Sequence, residues 1–109
     1  MPHGITIDGD GYVFLTDVAL HQVFKFPPRG GDGKPLLVLG TRWENGNDRN
    51  HFCKPSAVAV TKGGDFFVAD GYCNHRIVKF DKNGEFLMKI GQRTWPSNYT
   101  FVFGFLLLL

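Results

Sequence analysis

Apolar residues fall in short runs along most of the chain, broken by glycine, proline, asparagine or aspartate. Ile5–Ile7, Tyr12–Leu15, Gln22–Phe26 and Leu36–Leu39 make one set of runs, with turns at "DGDG" and a long "PPRGGDGKP" between them. Ala57–Val60, Phe66–Ala69, Arg76–Phe80 and Phe86–Ile90 make a second set, separated by Gly63-Gly64 and by "DKNGE", which holds the Asn83-Gly84 hairpin dipeptide. Short runs rich in β-branched and aromatic residues, bounded by turn formers, predict strands rather than helices.

The two sets are copies of one another. "PHGITI" aligns with "PSAVAV", "YVFLTD" with "DFFVAD" and "HQVFKF" with "HRIVKF", 53 residues apart at the start and 54 at the end. A repeat built of four short strands has the organisation of a propeller blade. The expectation is an all-β fold, an incomplete β-propeller of about two four-stranded blades over residues 1–92. Blade 1 covers about 2–40 and blade 2 about 55–91. Val60, Phe67, Val68, Ile77 and Val78 are expected to build the core of the second blade. Propellers usually close with 4–8 blades, so two leave an open flank and suggest part of a larger ring.

Composition supports this picture without extending it. Fourteen glycines, 6 prolines and 11 phenylalanines suit turn-rich aromatic strands, and 109 residues make one small domain. The net charge of +2 comes from 12 basic and 10 acidic residues spread along the chain, with no basic stripe to receive a nucleic acid. The start, "MPHGITIDGDG", lacks the cationic leader and apolar core of a signal peptide. Residues 93–109 depart from the blade pattern and end in "FVFGFLLLL", nine residues against the ~20 of a spanning helix, so no transmembrane span is expected. Asn98-Tyr99-Thr100 is a sequon, which makes Asn98 a glycosylation candidate.

Both cysteines lie in or just before the second copy, Cys53 beside His51 and Cys73 beside His75 with one residue between each pair. The residues alone leave three readings open. Two thiolates and two imidazoles could hold zinc, although one intervening residue does not build the usual tight knuckle. Two free thiols would suit a reducing compartment. A disulfide is also feasible, because antiparallel pairing brings the residues before the first strand close to those after the second.

"PHGITIDGDGYVFLTDVALHQVFKF", "NHFCKPSAVAV" and "FVADGYCNHRIVKF", taken together, resemble the peptidylamidoglycolate lyase domain of the peptide-amidating enzymes, from about Pro2 to Gln92. The resemblance implies a six-bladed propeller with NHL-like repeats that binds zinc and calcium. It also implies an activity, cleavage of a peptidyl-α-hydroxyglycine to a peptide amide and glyoxylate. His3, in the proline-histidine-glycine motif, would be a zinc ligand, the Ile5 carbonyl a calcium ligand, and Tyr72 a catalytic residue taking up the substrate's hydroxyl proton. Cys53 and Cys73 would form a disulfide worth roughly 3 kcal/mol by loop closure. The parent protein would then belong to the secretory pathway or the extracellular space, with further blades or a monooxygenase domain. The family's other two zinc histidines and its catalytic arginine have no counterpart in this chain, so weak zinc binding and no turnover are expected of it alone. His21, His51 and His75 do not match the ligand motif. From a different class, a non-catalytic NHL-type propeller module binding peptide or protein would share the fold and disulfide but give His3 and Tyr72 no task.

Overall fold

The computed structural model describes residues 1–91; residues 92–109, with the apolar tail and Asn98, lie outside it. Strands β1 (Pro2–Ile7), β2 (Val13–Asp17), β3 (Gln22–Phe26) and β4 (Leu37–Leu39) form one sheet. Strands β5 (Ala57–Val60), β6 (Phe66–Asp70), β7 (Arg76–Phe80) and β8 (Phe86–Ile90) form a second, and each sheet follows chain order. Every neighbouring pair is antiparallel. The expected runs of the second copy match its strands closely. In the first copy β1 starts earlier than the apolar run, at Pro2, because the chain continues pairing through a register shift between Pro2 and Gly4. The loop "PPRGGDGKP" contains a short 3-10 turn at Pro28–Gly30, favoured by the fixed φ of its prolines.

The sheets pack face to face over one shared core. Blade 1 contributes Phe14 and Val23, blade 2 contributes Val58, Phe66, Val68, Val78 and Phe80, and the connecting segment adds Phe52. Ring centroids lie 5.0 Å apart for Phe14 and Phe66, 5.5 Å for Phe66 and Phe80, and 6.0 Å for Phe52 and Phe80. Val68 and Val78 join this core as expected, and Val60 packs at its margin. Ile77 is buried as expected, in a second core cluster with Ala59 and Ala69 on the other face of blade 2, and Phe67 packs against that cluster, because successive strand residues point to opposite sides. Four phenylalanines absent from the expected list, at 14, 52, 66 and 80, are the largest fully buried side chains.

The innermost strands meet directly, and the Thr6 hydroxyl donates to the Val58 carbonyl at 2.7 Å. Among the described residues no helix is long and apolar enough to cross a membrane.

Candidate active site

His3 is the residue at the irregularity in β1: Pro2 pairs with Asp17 and Gly4 with Thr16, so His3 is extra in the ladder. A bulge of this kind re-aims a side chain. Gly4 lets β1 come close to blade 2 here, since a Cβ on it would stand 2.6 Å from the Ser56 carbonyl oxygen. That same carbonyl lies 3.0 Å from His3 Nδ1. A carbonyl can only accept, so Nδ1 carries the proton and Nε2 keeps its lone pair. The Tyr72 hydroxyl lies 2.8 Å from Nε2 and donates to it, with the rings 5.4 Å apart and nearly perpendicular. Two residues 69 positions apart, one from each blade, thus form a proton-sharing pair at the surface.

Tyr72 sits in the loop after β6, which is fastened at several points. Cys53 and Cys73 form a disulfide with a Cα separation of 5.6 Å. The bond corrects both other readings of these cysteines: a disulfide leaves no thiolate for zinc and no free thiol. Asp70, fully buried at the end of β6, accepts from the Cys53 backbone N–H at 2.8 Å, Asn74 Nδ2 at 2.7 Å and Arg76 Nε at 2.8 Å. Arg76 also donates to the carbonyls of Asn47, Asp48 and His51, and Asn74 to that of Gly46, which gathers the connecting segment onto the loop. Burial pushes the Asp70 carboxyl above its ordinary range, against the opposing pull of Asn74, the Cys53 N–H and the Arg76 guanidinium. The sequence reading missed this cluster. Its one visible signal was the recurrence of aspartate at the aligned positions Asp17 and Asp70.

The remaining histidines have local structural tasks. His21 and His75, at matching places in the two copies, both take left-handed backbone conformations, with φ of 59° and 54°. His21 Nδ1 accepts from the Lys54 N–H at 3.0 Å. His51 Nδ1 pairs with Asp48 Oδ1 at 2.7 Å, and that bond draws the Asp48 carboxyl below its usual range.

The donors here fit a metal only in part. His3 presents one oriented imidazole lone pair backed by a carbonyl, the outer-shell arrangement common to histidine ligands. Ile5 lies on the edge strand of its sheet. Because the Asp8 N–H donates to the Tyr12 carbonyl, the alternation along β1 turns the Ile5 carbonyl away from β2. One carbonyl is far from the six to eight oxygens calcium takes. Among the described residues no group of three or more histidine, cysteine or acidic side chains could hold a metal ion. His3 and Tyr72 are both exposed, and neither lines the clefts of about 530 and 510 Å³ between the blades.

The NHL repeat family matches residues 52–80. Peptidyl-α-hydroxyglycine α-amidating lyase 1 of Drosophila melanogaster is 61% identical over 97 residues, 89% of this chain and 18% of that protein. The peptidyl-glycine α-amidating monooxygenase of Mus musculus is 54% identical over 99 residues, 90% of this chain and 10% of that protein. The chain therefore spans only a small part of the length of these curated relatives. Among solved structures, a streptogramin B lyase superposes with a TM-score of 0.60 at 21% identity, covering 88% of this chain and 28% of that one, a likeness of fold alone. The two open four-stranded blades, the second overlapping the NHL match, and this level of identity make the chain similar to the peptidyl-α-hydroxyglycine α-amidating lyases over a segment of about two blades.

Proposed function

We propose that this chain carries the His3–Tyr72 part of a lyase site that converts a peptidyl-α-hydroxyglycine to a peptide amide and glyoxylate, the last step of peptide C-terminal amidation. The observation that carries the reading is the 2.8 Å contact between those two side chains, in a chain 61% identical to a named lyase. In the reaction the α-hydroxyl loses its proton, its oxygen becomes the aldehyde carbonyl of glyoxylate, and the carbon–nitrogen bond breaks. The nitrogen takes up a proton to complete the amide. Tyr72 is the group assigned to receive the hydroxyl proton, a task a phenol performs only beside a positive charge that stabilises the phenolate. A zinc ion held by His3 Nε2 would supply that charge and Lewis acidity. The Ser56 carbonyl fixes the imidazole tautomer that keeps Nε2 unprotonated. Nε2 has one lone pair, so it holds either the Tyr72 hydroxyl or a metal, not both.

Calcium at the Ile5 carbonyl belongs to the same proposal, as does an oxidising compartment, which the Cys53–Cys73 disulfide supports. Attachment to a monooxygenase domain in a parent protein is supported by the names of the mouse and Xenopus laevis relatives. With His3 the one imidazole placed at the site among the described residues, the chain by itself should bind zinc weakly and release no glyoxylate. Incubation with a peptidyl-α-hydroxyglycine and zinc tests this: background glyoxylate is expected, and release above it would overturn the incomplete-site reading. Zinc addition should also move the His3 Nε2 nitrogen resonance, and an unchanged resonance at millimolar zinc would remove His3 from the site.

A further inference from the structure

Tyr72 lies between two anchors that both lead to one carboxylate. Asp70, two residues before it, takes Asn74, two residues after it, on Oδ2 and the Cys53 backbone N–H on Oδ1. Arg76 Nε shares Oδ2 and ties the far side of the loop to the connecting segment. The carboxylate is therefore bonded to the loop's far flank and to the backbone of Cys53, one of the two residues that the disulfide joins. An ionised carboxylate is acceptor-only, and that is what three converging donors require. An asparagine there would set its own N–H groups against one of them. The bridge itself is exposed on the Cys73 side, whereas the Asp70 carboxylate is sealed.

We infer that Asp70 positions Tyr72 against His3, and that it does so without help from the Cys53–Cys73 bond. The inference rests on His3 and Tyr72 being the working pair, but its test reads their contact and not turnover, so either can fail without the other. The disulfide then guards the loop against larger openings, while Asp70 sets where the phenol stands.

The test uses the full chain, with the imidazole nitrogens followed by long-range proton–nitrogen NMR and Tyr72–His3 proximity by cross-relaxation between the two rings. Dispersed amide signals from the strands report that the blades stay folded. Reduction of the wild-type disulfide with a phosphine should leave the His3–Tyr72 cross peak and the Nε2 shift in place. Asp70→Asn, still oxidised, should lose the cross peak and move the Nε2 resonance with strand amides retained. Should Asp70→Asn fail to fold, Asn74→Ala in the reduced state serves instead, since it cuts the Asp70 link without stranding the Arg76 charge, and the cross peak should again vanish. Loss of the contact on reduction of the wild type, or its survival in either variant, would overturn the inference.

Discussion

Replacing Phe14 by alanine tests whether the two blades are one cooperative unit. Phe14 is fully buried and meets Phe66 across the blade interface at 5.0 Å between ring centroids. Truncating a buried phenylalanine costs about 3–5 kcal/mol, including the cavity it leaves. A domain of 109 residues holds on the order of 5–16 kcal/mol in total, from roughly 0.05–0.15 kcal/mol per residue. The substitution should therefore remove about a fifth or more of the stability, although Phe14 lies in blade 1 and most of the core it touches lies in blade 2. Urea unfolding followed by far-UV and near-UV circular dichroism gives the midpoint and slope. One transition with a lower midpoint and an unchanged slope is expected. The control is Ile5→Ala, on the outer face at 67% exposure, which should stay within about 0.5 kcal/mol of wild type. A Phe14→Ala cost below about 1 kcal/mol would refute the shared core, as would two separate transitions of which only one moves.

Gly4→Ala should destabilise by about 1–3 kcal/mol through overpacking, because the new methyl meets a backbone oxygen that moves only if the blades part; it should also displace His3, visible as a shifted imidazole resonance. Arg76→Met should cost about 3–5 kcal/mol in urea unfolding near neutral pH, since it leaves the buried Asp70 carboxylate without its cation. The same pair has a pH signature. Burial raises Asp70, so the folded chain binds that proton more tightly than the unfolded chain, and this group makes stability fall as pH rises from its ordinary value of 3.8 through its raised folded value. Removing the guanidinium that opposes the shift should steepen that fall in Arg76→Met relative to wild type; a parallel pair of stability–pH curves would contradict it.

The strands were legible because each apolar run ends in a turn former and the whole pattern occurs twice. The faces were less so. Both sides of blade 1 are apolar, with Ile5 and Ile7 exposed on β1 while Phe14 and Val23 are buried on β2 and β3, so alternation alone did not tell which side meets the partner sheet. His3 and Tyr72 entered through family likeness; nothing in their spacing announced that a bulge at His3 and a loop after β6 would bring them together. Asp70, Asn74 and Arg76 read as ordinary polar residues at a strand end, and their convergence needs the connecting segment of residues 44–53 folded over them. The two copies diverge here: Asp17, in the place of Asp70, bonds the N–H groups of Ala19 and Leu20 within its own turn.

The site assignment is tested most directly by transplanting residues 2–91 into the matching segment of the Drosophila melanogaster lyase and measuring glyoxylate release from a peptidyl-α-hydroxyglycine. The folded chimera should retain turnover, and Tyr72→Phe within it should lower the rate by about 10²–10⁴-fold, the usual contribution of a positioned acid–base group. A folded but inactive chimera, or a Tyr72→Phe chimera as fast as its parent, would contradict the assignment.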